Sequence, residues 1–537
     1  MHKMTEISPQ EFDFLRDSHC LNCKNGTPKD QGTFCTERNE LMREPQHCSV
    51  FDKKEIINLE ETKKTPLPRL TIDVLQCLAD KPPRRDEASE IVTREFLTRN
   101  HIYAIRDDKS DELWMYHKGI YIPEGKSYIE EFCRKILGRK YTTSFSNQVI
   151  AKIMADSQIN KEDFFDIKNK YEIAVQNGIL NIKKRTLTDF TPKRIFFNKL
   201  GIDYIPGIKI DKMKEFFQEI LSKDDVEVIQ ELFGYLLLKD YPVQKAFMFL
   251  GSGSNGKSAL LTLIKEFIGD DNCSNVTLDD LQQNDFAASE LFQKHVNIAG
   301  DLSNKTLTDT SKFKQITGGD RIAANRKFMT PIYFTNFAKM INACNELPQT
   351  RDLSEGFWRR WVLINFKQKF APIKDFEKLS VDERKKVKLA DPAIIQTIMS
   401  ETEMSGLLNW ALNGFERITA NQGFSYSKTG NEVQSEWIRK SNSFAAFCMD
   451  CLKEDYEGFV PKELLLEEYS RYCKTHRVKV ENRRIINEFI TQNMGCWEER
   501  PTIKDSFERP RIWKGVKFSG NIVCSLKYND EKGYHYE

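Results

Sequence analysis

The spacing of apolar residues divides the middle of the chain into a helical part and an α/β part. Apolar pairs recur at helical spacing from Phe216 to Leu237, and Asp240-Tyr241-Pro242 then interrupts them. Between Ala246 and Phe366, short apolar runs alternate with amphipathic stretches. This alternation is typical of strands and helices around a mostly parallel sheet. The pattern therefore predicts a multidomain α/β protein.

Shorter patterns predict the elements on either side of this core. His117-Lys118-Gly119 and Asn177-Gly178 follow short apolar runs, which predicts two hairpin turns. The charged residues 367–392 predict a solvated connector before a helix around residues 407–415. The last hundred residues predict helices over 444–452, 462–475 and 483–492, then a strand pair that ends in 511–518.

Composition and charge narrow the class of protein. A chain of 537 residues exceeds what one core usually holds, so several domains are expected. The 81 Lys and Arg nearly balance the 79 Asp and Glu, which excludes a histone-like polycation and limits nucleic-acid binding to local basic surfaces. The apolar runs are too short to span a bilayer and no signal peptide precedes them. We therefore expect an intracellular, cytoplasmic protein without a membrane partner.

The most specific motif is a glycine-rich loop between a predicted strand and a predicted helix. Its glycines let backbone N–H groups surround phosphates at a helix N-terminus. Lys257 is expected to pair with the β- and γ-phosphates of ATP, and the Ser258 hydroxyl is expected to ligate Mg²⁺. The full match to the phosphate-binding pattern reads Gly251-Ser252-Gly253-Ser254-Asn255-Gly256-Lys257-Ser258.

Four polar residues near the ends of later strands are further candidates. Asp301 follows an apolar run and is expected to hold the metal, although a strand-capping aspartate is the alternative. Asn345 follows another such run and suits a γ-phosphate sensor, while a simple turn is the alternative. Arg359 or Arg360 precedes the last strand and suits an arginine finger that crosses a subunit interface. Arginine pairs at such positions are otherwise solvated edges.

A basic segment lies between Asp301 and Asn345. Residues 312–327 contain five basic residues against one acidic residue, and an aromatic residue follows. A hairpin tip that carries Arg326, Lys327 and Phe328 suits single-stranded DNA, with Lys314 as a further contact. A solvated charged face is the alternative.

The order of these motifs resembles that of the superfamily 3 helicases, the ring-forming AAA+ ATPases of viruses and plasmids. More narrowly, it is similar to the phage, plasmid and poxvirus primase-helicase family, over about residues 90–520. The segments that carry the resemblance are 114–121, 177–180, 251–258, 297–301, 313–328, 342–348, 356–360 and 511–518.

The resemblance implies a fold and an activity. The fold would be a P-loop AAA+ motor with a helical N-terminal collar and a C-terminal winged helix. The activity would be that of a homo-hexamer that hydrolyses ATP with Mg²⁺ and moves along single-stranded or forked DNA from 3′ to 5′. Many relatives have two adjacent acids at the metal strand, whereas Gly300 precedes Asp301 here. Which residue activates the water therefore stays open.

Five parts of the chain are predicted on this basis. A Cys-rich segment precedes a mixed α+β domain, a collar with the ATPase, a helical connector and a winged-helix domain. Their bounds are 1–65, 66–210, 211–385, 386–430 and 431–537.

The cysteines raise a second metal question. Cys20, Cys23, Cys35 and Cys48 could bind Zn²⁺ in the first segment, with an iron–sulfur cluster or free thiols as alternatives. By contrast, Cys448 and its neighbour three residues later are expected to pack in a helical core. Basic residues also exceed acidic ones, by six to one, between positions 471 and 484. That excess suits a surface that contacts duplex DNA.

The leading hypothesis is an ATP-dependent DNA helicase that replicates a virus, phage or plasmid. One alternative is a bifunctional primase-helicase, although little sequence precedes the family-like region, so a separate primase or polymerase partner is expected. The other is a replication initiator that binds an origin and uses ATP as a switch without unwinding.

Overall fold

The structure, a computed structural model, describes most of the chain. It describes the backbone of strands β1 (Gly26–Lys29), β2 (Gly32–Cys35) and β3 (Glu40–Met42). It also describes residues 67–536 apart from 108–111, 303–305, 328, 477, 504–508, 521–523 and 530–532. Phe328 and the cysteines Cys20, Cys23 and Cys48 lie outside the described residues, and of Cys35 only the backbone is described. The zinc prediction therefore stays a prediction.

The chain forms two compact units, residues 1–101 with 126–156 and residues 102–125 with 157–537. The finer division at residues 65, 210, 385 and 430 stays a prediction. The described part of the first unit contains the sheet β1-β2-β3 and four helices, and the first residue of α3 belongs to the second unit. These helices are α1 (Leu67–Ala79), α2 (Arg85–Arg99), α3 (Gly125–Leu137) and α4 (Thr143–Asp156).

Two small sheets open the second unit. Both predicted hairpins are confirmed, and the turn at Lys118 and Gly119 has φ values of 46° and 95°. Two successive positive φ angles match the twist of an antiparallel hairpin. One sheet has the order β6-β5-β4-β7 and the other β10-β9-β8. The elements are β4 (Ile102–Arg106), β5 (Leu113–His117), β6 (Ile120–Ile122), β7 (Gln158–Asn160), α5 (Lys161–Phe165), β8 (Glu172–Val175), β9 (Gly178–Asn181) and β10 (Thr186–Thr188).

The helices predicted between Phe216 and Leu237 are confirmed as α6 (Lys212–Ile220) and α7 (Lys223–Leu237). A long helix from the later part of the chain, α15 (Glu401–Asn421), packs against α7. The two helices meet at glycines, since a Cβ at Gly234 would overlap the backbone of α15 and a Cβ at Gly414 would overlap that of α7.

A buried ion pair fixes the same helix pair. Glu231 of α7 is fully buried, and its Oε1 lies 2.7 Å from Nε of Arg417 in α15. The backbone N–H of Ser425 also donates to this carboxylate, at 2.7 Å. Because a buried charge without a partner is costly, these contacts specify how the two helices align.

The predicted parallel α/β core is confirmed. Five parallel strands have the order β12-β13-β16-β11-β17, so the first strand in sequence lies between the last two. The helix α8 (Lys257–Ile268) follows β11, and the hairpin of β14 and β15 precedes β16. The remaining elements are β11 (Ala246–Leu250), β12 (Cys273–Ser274), α9 (Leu278–Gln283), β13 (Val296–Ala299), α10 (Ser311–Gly318), β14 (Arg321–Arg326), β15 (Met329–Thr335), β16 (Lys339–Cys344), α11 (Glu355–Trp358) and β17 (Trp361–Asn365).

The segment predicted as a solvated connector is mostly exposed but has regular structure. Two short strands pair in parallel across two single-turn helices, and the Ser380 hydroxyl and the Glu383 side chain cap one of these helices. Such local capping bonds stabilise turns in a segment with few apolar residues. Its elements are β18 (Lys369–Ala371), α12 (Ile373–Phe376), α13 (Val381–Arg384), β19 (Val387–Leu389) and α14 (Ile394–Ile398).

The C-terminal part confirms the three predicted helices and adds a strand. The strand β20 was not predicted, because charged residues interrupt its apolar pattern and only two of its ten residues are buried. Cys448 is buried in the core of this part, as predicted. Among the described residues, no helix combines the length and apolar character needed to cross a bilayer. The elements are α16 (Gly430–Ser441), α17 (Ser443–Cys451), β20 (Leu452–Pro461), α18 (Lys462–His476), α19 (Arg483–Gln492), β21 (Trp497–Glu499), β22 (Ile512–Phe518), β23 (Leu526–Asn529) and β24 (Gly533–Tyr536).

Candidate nucleotide site and DNA hairpin

The glycine-rich loop joins the carboxyl end of β11 to the start of α8. Gly253 and Gly256 have φ values of 92° and 83°, a backbone conformation that L side chains rarely adopt. A Cβ at Gly256 would also overlap the side chain of Ile220, and one at Gly251 would overlap Asn255. The fold therefore requires glycine at these positions. The helix α8 begins directly after them, and its first N–H group, that of Lys257, donates to Oδ1 of Asn255 at 3.4 Å.

Lys257 occupies the centre of this loop and contacts two neighbouring strand ends. Its ammonium donates to the carbonyl of Gly251 at 2.9 Å, to that of Cys344 at 2.8 Å and to Oδ1 of Asn345 at 3.0 Å. Burial lowers the pKa of Lys257, and the nearby Asp301 carboxylate acts against this shift. Because all three acceptors are neutral, none of them cancels the positive charge. The structure thus brings together the predicted residues Lys257, Asn345 and Asp301.

The candidate Mg²⁺ ligands offer oxygen atoms beside this lysine. Ser258 is exposed, and among the described residues its hydroxyl has no hydrogen-bond partner. Asp301 follows β13 and is also exposed. Hydroxyl and carboxylate oxygens suit Mg²⁺, which usually takes one or two carboxylates and fills its shell with substrate phosphates and water. The described part of the chain has no cluster of three or more His, Cys, Asp or Glu side chains that would hold a metal by itself. The residues therefore fit an ion that arrives with a phosphate.

The predicted arginines lie at the opposite end of the strands, where β11 and β17 begin. The Arg360 carbonyl accepts a hydrogen bond from the backbone N–H of Ala246, the first residue of β11, at 2.7 Å. The five residues of β11 separate this end of the strands from the loop by about 16 Å, at about 3.3 Å per residue. That distance exceeds the length of an arginine side chain. Neither arginine can therefore reach the phosphate loop of its own chain.

The two arginines differ in accessibility. Arg359 is exposed, and its Nη2 donates to Oε1 of Gln244 at 2.8 Å. Arg360 is only 8% exposed and donates to the Gly356 carbonyl. Burial lowers the pKa of Arg360, and the positive charge of Arg359 adds to the shift. Only Arg359 presents its guanidinium to an approaching molecule.

The predicted hairpin is confirmed, but two of its predicted DNA contacts are in ion pairs. Arg326 Nη2 lies 3.2 Å from Oε1 of Glu112, and both side chains are mostly buried. Lys314 lies 2.9 Å from Asp352. Lys327 is exposed at the turn. Sequence reasoning missed both acidic partners, because they lie 214 and 38 positions from the basic residues and no local pattern connects them.

Two stretches of the chain match known protein families. Residues 90–223 match the family described as D5 N terminal like. Residues 249–360, which include the glycine-rich loop and both arginines, match a family of unknown function, DUF5906.

Viral proteins are similar over a longer stretch. "Putative helicase L207/L206" of Acanthamoeba polyphaga mimivirus is 27% identical over 304 residues, which are 53% of this chain and 30% of that protein. This chain is therefore similar to viral proteins that are named as putative helicases. "Putative helicase 121R" of Invertebrate iridescent virus 3 is 25% identical over 286 residues, which are 47% of this chain and 29% of that protein. The chain thus spans about a third of the length of these two viral relatives.

A solved structure, the apo C-terminal region of NrS-1, is also similar to this chain. The likeness covers 79% of this chain and 98% of that one, with 14% sequence identity and a TM-score of 0.40. The resemblance to the primase-helicase family that the motifs predicted is confirmed by the family match and the viral relatives.

Proposed function

We propose that this chain is an ATP-dependent DNA helicase of a viral, phage or plasmid replication system. It would act as a hexameric ring that moves along single-stranded DNA from 3′ to 5′, with priming supplied by a separate protein. The observation that carries the proposal is that the predicted ATPase residues lie at opposite ends of the parallel strands. Lys257, Asp301 and Asn345 lie at the carboxyl ends and Arg359 at the amino end, so a complete site needs a neighbouring chain.

Each residue at the loop edge has a role in this proposal. ATP phosphates would displace the internal acceptors of Lys257, and the loop N–H groups would surround them. Ser258 and Asp301 would hold Mg²⁺, which would neutralise charge on the β- and γ-phosphates. Asn345, released from Lys257, would orient the attacking water beside the γ-phosphate. Arg359 of one subunit would contact the γ-phosphate held by the next.

We propose a winged helix for residues 443–518. The order of elements supports this fold: helix α17, strand β20, helices α18 and α19, then strands β21 and β22. In such folds the second helix of the helical pair enters the major groove of DNA. Here that helix is α19, which begins with Arg483 and Arg484.

Strand displacement on a forked duplex tests the function. Wild-type protein with ATP and Mg²⁺ is expected to displace a labelled strand from a fork with a 3′ single-stranded arm, and less so from one with a 5′ arm. Electron microscopy with an ATP analogue and single-stranded DNA is expected to show closed rings. ATP hydrolysis without displacement on any fork would favour the initiator alternative instead. Absence of both activities would reject the nucleotide site.

Replacement of Arg359 tests the composite site. Arg359→Ala should bind an ATP analogue as the wild type does, because this residue contributes nothing to its own loop, while turnover falls at least about tenfold. Steady-state hydrolysis and analogue binding measure the two effects. When the Arg359→Ala and Lys257→Ala proteins are mixed, a site between two subunits can take its Lys257 from the first variant and its Arg359 from the second. Such intact sites should restore part of the activity. Equal loss of binding and turnover would place Arg359 in the loop of its own chain and contradict the prediction.

The pair of Glu112 and Arg326 predicts a gain of DNA binding. Glu112→Gln removes the carboxylate that pairs with Arg326, so DNA phosphates no longer compete with this carboxylate for the guanidinium. Affinity for single-stranded DNA should rise up to about fivefold, a modest gain because Arg326 loses its competitor but stays mostly buried. Fluorescence anisotropy at fixed salt measures the change, and Glu416→Gln, at the exposed pair with Arg185, is the matched control. A loss of affinity would mean that Glu112 holds Arg326 in its DNA-binding position.

A further inference from the structure

One face of the β14–β15 hairpin is open, whereas the other is packed. Ile322 and Ala324 of β14 and Ile332 of β15 are buried, while Arg321 and Tyr333, which alternate with them, are exposed. Cross-strand register places Ala323 opposite Tyr333. The period of two along each strand therefore puts Arg321 and Tyr333 on the same outward face.

These two side chains form an exposed cation–π pair. The Arg321 guanidinium lies 5.7 Å from the centre of the Tyr333 ring, and Tyr333 is 61% exposed. Among the described residues, Arg321 has no carboxylate partner and the Tyr333 hydroxyl has no hydrogen bond. The ring face and the cation are thus both available to a ligand.

A cavity of about 690 Å³ lies beside this pair and is lined by both residues. Phe165 and Phe292 also line it. Two of its lysines pair with carboxylates within the cavity, Lys161 with Asp107 and Lys170 with Asp240, and three further carboxylates line it, those of Glu162, Asp163 and Asp166. Paired charges attract a phosphate weakly, whereas aromatic walls favour a flat, neutral group. The cavity therefore suits a nucleobase better than a phosphate.

The rest of the hairpin supports a nucleic-acid ligand over other flat groups. Residues 321–327 contain three basic residues and no acidic one. At the tip, however, Arg326 is mostly buried and paired with Glu112. The guanidinium of this hairpin that has no carboxylate partner is consequently that of Arg321, at the start of β14 and next to the exposed ring of Tyr333. A basic strip with an aromatic face is the combination that binds single strands without sequence preference.

We propose that Tyr333 and Arg321 form a platform on which one base of single-stranded DNA stacks, with the adjoining phosphate at Arg321. The base enters the aromatic side of the cavity and the phosphate stays at its rim. This inference rests on the proposed function, since it requires that the hairpin meets single-stranded DNA. It adds a contact near the start of β14 and the end of β15 to those expected at the hairpin tip.

Binding of a labelled mixed-sequence oligonucleotide to the full chain tests the platform. Tyr333→Ala should weaken binding at least about fivefold, because stacking of one base on an aromatic side chain contributes about 1–3 kcal/mol. Tyr333→Phe should bind as the wild type does, since the ring and not the hydroxyl makes the contact. Phe286→Ala removes another exposed aromatic side chain, 47% exposed and outside both the hairpin and residues 443–518, and should leave binding unchanged.

Salt dependence separates the two roles. Arg321→Ala should reduce the slope of log affinity against log salt by about 0.7, the value for one phosphate contact on a single strand. Tyr333→Ala should leave this slope unchanged, because stacking releases no counterion. In Tyr333→Trp, the fluorescence of the new indole should be quenched when DNA binds, a signal that a merely structural role would not produce.

The outcomes distinguish this inference from the proposed function. If the wild type binds no single-stranded DNA, the proposed function fails. If the wild type binds and unwinds DNA but Tyr333→Ala matches it, the platform is wrong and the function stands. Unchanged DNA binding together with loss of self-association in Tyr333→Ala would assign this face to a contact between copies of the chain, and would also overturn the inference.

Discussion

Lys257→Ala is expected to abolish ATP hydrolysis and strand displacement. The ammonium of Lys257 is the cation fixed at the centre of the loop, held by three neutral acceptors. Without it, negative charge that develops between the β- and γ-phosphates loses its nearest donor. Removal of one such preorganised donor typically slows turnover by two to three orders of magnitude, so we expect a loss of about a thousandfold. Phosphate release under saturating ATP measures the effect.

A second lysine of the same helix provides the control. Lys265 lies in the last turn of α8 and makes no contact with the loop, so Lys265→Ala should retain wild-type turnover. Circular dichroism of Lys257→Ala should match the wild type, because the substitution removes only side-chain hydrogen bonds and leaves the backbone bonds of α8 in place. Hydrolysis in Lys257→Ala at more than a tenth of the wild-type rate would show that ATP is bound elsewhere.

Gly234→Ala is expected to destabilise the second unit although alanine is the better helix former. Alanine gains about 1 kcal/mol over glycine in a helix interior. A Cβ at Gly234 would however overlap the backbone N of Phe415 and lie 2.8 Å from its Cα. Backbone atoms of a packed helix cannot move aside without separating α7 from α15. Overpacking of this kind costs about 1–3 kcal/mol or more, which exceeds the gain in helix propensity.

Differential scanning calorimetry measures this effect as a lower midpoint of the transition that includes α7. We expect a decrease of about 3 °C or more. Gly201→Ala is the matched control, because a Cβ there meets no atom within 4 Å, and its midpoint should be unchanged. An unchanged or higher midpoint in Gly234→Ala would mean that α15 can shift at low cost and that the close approach does not limit stability.

The parts of the fold that follow from short-range patterns could be predicted from the sequence. The turn at Lys118 and Gly119, the helix α19 and the strand–loop–helix around Lys257 each depend on residues within a few positions of one another. Their apolar period and turn residues are therefore visible along the chain. The charged strand β20 was missed because it packs few side chains and is defined mainly by its pairing with β22.

The candidate site divides in the same way. The glycine-rich loop could be found by its pattern, and its neighbours Asp301 and Asn345 by their positions after strands. The sequence could not distinguish Arg359 from Arg360, since burial decides between them and the two residues are adjacent. Nor could it predict the pairing of Arg326 with Glu112, because that contact exists only once two distant hairpins meet. Tyr333 was missed as well, although its alternation with Ile332 and Phe334 marks an outward position.

In the ATPase that we propose, the hydrogen bonds of Lys257 also bear on how ADP would leave. The ammonium is satisfied within the protein by the Gly251 and Cys344 carbonyls and by Asn345. Nucleotide binding would therefore exchange one set of partners for another. After hydrolysis the lysine would return to the strand ends while the diphosphate departs, so no buried charge would be left without a partner. We expect this exchange to keep product affinity modest, which would allow the proposed ring to repeat its cycle.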